Sequence, residues 1–292
     1  MQDTCKKKRY PVYYLVPIIL IFTVFYISPA AIGLFYSLTD ASIKTSGVHF
    51  VGFENYKTLF SDSGAFLISI WNQFKFAILV AVGKTIIGLF LALLLNRKFK
   101  GNQFLRALIY IPIMFGVIMV ALIFNYILSY EGFLNNFLTS IGLSSLANDW
   151  LGSFSISMYS VVGVDIWIGV GWSMMLILAA LQSVSKDLIE CSEIDGAGAF
   201  RKFFNITLPS ISSTLNLSIL LSIISGLKAF DIIYALTRGG PGHATEVMST
   251  YLVKSMSSGS IGYPAAISVI QFVIITIVAL AINSLTKRSE SN

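Results

Sequence analysis

Runs of twenty or more mostly apolar residues, separated by short polar connections, recur along this whole chain. They begin with "PVYYLVPIILIFTVFYISPAAIGLF" and end with "PAAISVIQFVIITIVALAINSL". About 20 apolar residues are what an α-helix needs to cross the hydrocarbon core of a bilayer. In that medium every backbone N–H and C=O must be bonded within the structure, which leaves helices and closed barrels as solutions. The alternating pattern of barrel strands is absent here, so helices remain. Composition agrees: of 292 residues, 55% are hydrophobic and 12% are charged, about half the charged share of an ordinary soluble domain. The fold class is an all-α integral membrane protein. Six spans are drawn at about 12–38, 71–95, 107–129, 157–181, 212–235 and 264–286, so that residues 12–286 form one transmembrane domain between tails 1–11 and 287–292.

The start, "KKKRYPVYYLVPIILIF", has the charged and apolar regions of a secretory signal. Its apolar run continues to about Leu38, too long for a signal core, so it reads as an uncleaved first span. Lysine and arginine then set the orientation. Thirteen of them fall in Lys6 to Arg9, the 96–106 loop "NRKFKGNQFLR", the 182–211 segment and the C-terminal tail. The loops on the other side, 39–70, 130–156 and 236–263, hold Lys44, Lys57, Arg238 and Lys254 alone. This bias predicts cytoplasmic N- and C-termini. It also explains the net charge of +6 as topology, with no nucleic-acid partner implied. Cys5 and Cys191 both fall on the cytoplasmic side, where free thiols are the rule.

The 182–211 segment, "QSVSKDLIECSEIDGAGAFRKFFNITLPSI", stays out of the membrane between two apolar runs. Ser185 is a candidate N-cap, and Asp187 and Glu190 place negative charge in the first turns, where the helix dipole favours it. Leu188, Ile189 and Ile194 are expected on the inner side of this short helix. Gly196 supplies a turn, Ala197 to Asn205 a second short helix, and Pro209 the first turn of the next span. Physics alone leaves two readings: a hairpin lying in the membrane interface with its phenylalanines in lipid, or a docking site for another protein. Glu190, Asp195, Gly196, Ala197, Phe203, Ile206, Leu208 and Pro209 stand at the spacing of the EAA loop of ABC importer permease subunits, and the segment resembles that loop. Cys191 and Ser192 take the place of its two alanines. The resemblance implies the type I ABC importer permease fold, and a coupling hairpin that enters a cleft on an ATPase subunit. Glu190 would there meet a basic residue, and Gly196 would allow close backbone approach.

No ATPase is legible in the chain itself. Gly83-Lys84-Thr85 is the one GK[ST] triplet, but a phosphate loop requires glycine at position 78, which is Ile. No catalytic residue, metal or cofactor is therefore expected here, and ATP and Mg are expected in partner ATPase subunits. His49 and His243 lie in separate outer loops and suggest no metal site.

A second motif, Tyr234, Leu236, Thr237, Gly239, Gly240, Pro241 and Thr245, closes the fifth span. It resembles the Tyr-x-Leu-Thr-x-Gly-Gly-Pro signature of carbohydrate-uptake permeases similar to the larger maltose-type subunit, and "FVGFENYKTLF" is typical of the same group. A plain glycine turn after a helix is the alternative. The resemblance implies a bacterial plasma-membrane importer made of this subunit, a second homologous permease, two ATPase subunits and an extracellular solute-binding protein. Gly239, Gly240 and Pro241 would lie in an outer loop facing that binding protein. The cargo would be a sugar, an oligosaccharide first and a glycerol phosphate second.

Intramembrane polar groups facing a cavity are the natural cargo contacts. Asp165, Gly169 and Trp172 follow i, i+4, i+7 on one face of the fourth span. They offer an acceptor for hydroxyls, room for a ring and an aromatic plane. Ser222 and Ser225 share a face of the fifth span, which also carries Asn216, Ser218 and Lys228. In the maltose-type group the sugar is contacted at positions matching these. Small and hydroxylated residues also serve helix packing, and a structural ion pair of Asp165 with Lys228 is the alternative for that carboxylate. Two rival functions stay open: a carrier coupled to protons through Asp165 and Lys228, and a polytopic membrane enzyme. The enzyme lacks a nucleophile–base set or a His/Asp/Glu cluster.

Overall fold

The computed structural model describes residues 12–45, 47–61, 64–97 and 99–290. The 1–11 segment with Cys5 and its basic run, Lys98, and the side chains of Lys287 and Arg288 lie outside this description. Among the described residues, six helices are long and apolar enough to cross a membrane. They are α1 (Tyr13–Ser37), α2 (Ala65–Leu95), α3 (Val117–Ser140), α4 (Ser157–Ser183), α5 (Ala199–Leu227) and α6 (Gly262–Ser284). Short helices fill most of the connections. Thr39 with Phe50 and Ser42 with Ser260 form isolated bridges.

Two compact units divide the described chain. One holds α1, the following segment to Ser61, and Ser255–Ile270. Here α1 is apolar all round and unburied over its most hydrophobic window, as suits a helix facing lipid or another subunit. After it, the Asn55 amide donates to the carbonyls of Ser37 and Thr39, both at 2.9 Å. The Tyr56 hydroxyl lies 2.8 Å from Ser37 Oγ. The last carbonyls of a helix have no partners within it, so the Asn-Tyr pair of "FVGFENYKTLF" caps α1 from outside.

Pro29 and Pro209 sit well inside long helices without ending them. Proline lacks an N–H and crowds the carbonyl four residues back. In α1 the turn Thr23–Ile27 widens, and Ser28 N–H bonds to Thr23 O, just before Pro29. In α5, Phe203–Thr207 widens in the same way before Pro209, with Leu208 N–H on Phe203 O. One i−5 turn removes the clash, and the helix continues.

In the second unit α2, α4 and α5 pack together. Helices in lipid gain little from hiding apolar surface against each other and associate through close contact of small residues and interhelical hydrogen bonds. Gly226 of α5 lies so near α2 that a Cβ there would stand 2.6 Å from Ala77 Cα. Gln73 Nε2 of α2 donates to Gly226 O at 2.8 Å. One apolar cluster collects Phe76, Val80, Val161, Val164 and Ile233, and another Ala92, Leu95, Met174, Ile177 and Ile211. Between them, around residue 84 of α2 and residues 165–173 of α4, lies a polar level.

The helices depart from the sequence reading in three places. The second begins at Ala65 instead of 71. The run read as one span over 107–129 breaks: Asn102–Tyr110 is helical, Pro112 lies in a tight turn, Phe115 and Gly116 are extended, and helix resumes at Val117. The fifth was drawn at 212–235 but starts at Ala199 and ends at Leu227, with Asp231–Thr237 a separate short helix.

Gly226→Val should force α2 and α5 apart at a backbone contact, a strain of about 1–3 kcal/mol. The expected outcome is a lower unfolding temperature for the detergent-purified protein, while Gly163→Val, at a glycine with nothing within 4 Å, leaves it nearly unchanged.

Candidate functional site

A cavity of about 380 Å³ opens at the polar level, lined by Lys84, Gly169, Trp172, Ser222 and Ser225 with Ile113, Ser173 and Leu221. The structure thus brings four of the five expected cargo contacts to one place. The fifth, Asp165, holds Lys84 there: Lys84 Nζ and Asp165 Oδ2 are 2.7 Å apart, with the two side chains 10% and 20% exposed. This corrects the expected partner. Lys228 is exposed, at the C-cap of α5, whereas the true partner projects from the middle of α2. Gly169 also differs from its expected use. A Cβ there would come within 2.5 Å of Lys84 Cε and 2.6 Å of Nζ. The room at Gly169 is taken up by the lysine, which crosses the helix face to reach Asp165. Trp172, 49% exposed, stands one turn further along α4, and Ser222 and Ser225 face it from α5 across the cavity.

Lys84 was missed because its triplet drew attention only as a failed phosphate loop. The better signal was a lysine inside an apolar span, where a charge requires a partner.

The 182–211 segment is a helical hairpin. Ser185 Oγ accepts from Asp187 N–H at 3.2 Å and caps Lys186–Ile194. Gly196 takes a φ of +72°, which glycine adopts freely. There the N–H groups of Gly196 and Ala197 close the helix end on the carbonyls of Glu193 and Ser192. Glu193 and Lys202 join the two arms at 2.7 Å. Ser192 is buried and donates to Ile189 O at 2.6 Å. Of the three apolar residues expected inside, only Ile189 is partly covered; Leu188 is half-exposed and Ile194 is 86% exposed. The reason is register, since Ile194 falls on the opposite side of the helix from the Ile189–Ser192 line. Glu190, Cys191 and Asp195 are exposed, Ala197 and Phe203 partly so, and Pro209 is exposed within α5. The expected second short helix is the first part of α5, which runs unbroken from Ala199 to Leu227.

The glycine turn after Asp231–Thr237 wraps around a buried carboxylate. Glu246 has no exposed side-chain surface, binds Lys254 at 2.6 Å and pairs with His243. Asn72 of α2 donates to the carbonyls of His243 and Glu246 at 2.8 and 3.0 Å. Gly239 is buried against Glu246 and Lys254, Gly240 and Pro241 are partly covered, and Arg238, Gly242 and His243 form the exposed part of the turn. Thr245, from the signature, donates to Gly240 O at 2.7 Å. Among the described residues no group of three His, Cys, Asp or Glu side chains is placed to hold a metal ion.

The family described as "Binding-protein-dependent transport system inner membrane component" matches residues 84–290. The trehalose/maltose transport system permease protein MalF of Thermococcus litoralis is 35% identical over 265 residues, covering 89% of this chain and 88% of its own. The multiple sugar-binding transport system permease protein MsmF of Streptococcus mutans is 33% identical over 277 residues, covering 94% of each chain. In fold, the chain is similar to one of a bacterial alginate ABC transporter, crystallised with an alginate pentasaccharide-bound periplasmic protein. The TM-score is 0.82 at 24% identity, over 94% of this chain and 93% of that one.

Glu246→Gln removes the charge that Lys254 and His243 share. Breaking a buried pair costs roughly 3 kcal/mol, the low end of the usual range being apt because the Lys254 and His243 side chains are half-exposed. A fall in unfolding temperature is expected, with increased proteolysis of the 238–256 region.

Proposed function

The chain belongs to the family of binding-protein-dependent transport system inner membrane components, and from that premise we propose how its parts serve import. It is a multi-pass permease subunit of a carbohydrate ABC importer. In our reading its cargo passes through the cavity lined by Gly169, Trp172, Ser222 and Ser225. The indole offers a flat apolar face to the C–H side of a sugar ring, and the serines offer hydroxyls to its edge. An extracellular solute-binding protein delivers the cargo to the outer loops, where the turn at Gly239, Gly240 and Pro241 is held firm by Glu246. A second permease completes the pathway. Two partner ATPase subunits, with their ATP and Mg, drive it, and this chain performs no covalent chemistry. The lysine and arginine bias supports a cytoplasmic position for both termini.

The observation that carries this reading is the continuity of α5. The helix begins inside the hairpin and holds both cavity serines. From Ala199 to Ser222 it runs about 35 Å at 1.5 Å per residue. A displacement of the hairpin by an ATPase would therefore reach the cavity through one continuous helix. The outward-facing Ile194 and Phe200, 86% and 78% exposed, give the hairpin an apolar tip suited to a cleft on such a partner.

A phosphorylated cargo is the second reading, favoured by the presence of Lys84 in the cavity. The proton-coupled carrier was framed on Asp165 with Lys228, and Asp165 is paired with Lys84 instead.

Purification of the chain from its own cells should recover an ATPase and a second permease. Ile194→Glu, at a position with no buried contact to lose, should reduce the recovered ATPase at least tenfold and leave the second permease in place. A chain that purifies alone, with uptake that follows the proton gradient, would contradict the proposal.

A further inference from the structure

The electrical state of the cavity follows from one contact. Lys84 brings an ammonium group to the cavity wall, and Asp165 Oδ2 lies 2.7 Å from it. The lysine has three N–H donors and the carboxylate about four acceptor sites, so a single contact leaves both groups with capacity to spare. Both are largely screened from solvent, at 10% and 20% exposure, and Gly169 lets the lysine lie flat across α4 between Asp165 and the cavity. The lysine thus faces the cavity with N–H donors to spare for a cargo hydroxyl, and Asp165 backs it from behind. Their charges cancel. An anionic cargo would have to win the ammonium from a carboxylate already in place and then sit beside that carboxylate, where two like charges in a poorly hydrated site repel strongly.

We propose that the Lys84–Asp165 pair sets the class of cargo: it binds an uncharged polyhydroxy molecule and excludes anionic sugars and sugar phosphates. Asp165 acts as the specificity-determining residue by keeping the lysine neutralised. This rests on the reading that the cavity holds the cargo, and it decides against the phosphorylated alternative.

The test reads the cavity's potential without needing the cargo. In the intact complex, in membrane vesicles, Cys5 and Cys191 are replaced by Ser, and Ser225→Cys supplies a thiol on the cavity wall. Its rates of modification by a sulfonate-bearing and a trimethylammonium-bearing methanethiosulfonate are compared by mass spectrometry of this chain. With Lys84 and Asp165 intact, the ratio of the two rates should match that of a small free thiol. Asp165→Asn should raise the anionic-to-cationic ratio about tenfold, and Lys84→Gln should lower it by a similar factor. The double variant should restore it, and Asp165→Glu, which keeps the charge, should leave it unchanged. A tenfold preference for the anionic reagent with the pair intact would overturn the proposal, as would a ratio indifferent to both single variants. No modification by either reagent would remove the cavity reading beneath it.

Discussion

An ammonium group halfway along a helix in lipid is stable only beside a partner, and the partner chosen for Lys84 organises much of what surrounds it. Asp165 must sit on the facing helix at the same depth. The side chain between them must vanish, which Gly169 provides. The apolar packing must part to admit the pair, and it does: the two buried clusters lie on either side of this level along α2 and α4. A lone lysine here would cost several kcal/mol. Paired, it becomes a polar shelf at mid-helix, with Trp172 and the two serines of α5 close by. The cavity is therefore a consequence of accommodating a charge, and its chemistry follows from the same pair.

The second constraint is mechanical. In the proposed mechanism, a permease driven by a separate ATPase needs a stiff connection between the hairpin and the cavity. Pro209 threatens to interrupt that connection, and the widened turn Phe203–Thr207 removes the threat at the cost of one irregular hydrogen bond. The hairpin reverses direction at Gly196, whose φ of +72° suits a glycine. The contact of Gly226 with Ala77 and the bond from Gln73 then tie the far end of α5 to α2, the helix that carries Lys84. Movement of the hairpin thus has a route to both sides of the cavity.

The apolar runs, the hairpin and the signature turn were legible because each is written in contiguous residues. Composition marks a span, and spacing marks a loop motif. What could not be read were choices made between distant segments. Asp165 was matched with Lys228 alone, although Lys75 and Lys84 also lie within apolar spans and nothing local distinguishes the three. In the fold Lys75 lies over the Tyr159 ring at 4.5 Å and Lys228 caps a helix, which leaves Lys84. The start of α5 was hidden because proline usually marks a helix start, and only backbone geometry reveals a turn wide enough to tolerate one. Asn55 looked like part of a family pattern, and its use as a cap for α1 depends on carbonyls in an earlier segment. Glu246 carries no local signal in the sequence, and its burial depends on the loop closing around it.

The most direct test of an ATP-driven pathway through this cavity is the side from which position 222 can be reached. Ser222→Cys, in a background with Cys5 and Cys191 replaced by Ser, would be labelled with an impermeant thiol reagent in right-side-out and inside-out vesicles holding the complete complex. The measurement is made without nucleotide and again with ATP trapped by vanadate. Alternating access through the α2, α4 and α5 cavity predicts that the accessible side switches between the two states. Labelling from the same side at the same rate in both would contradict it.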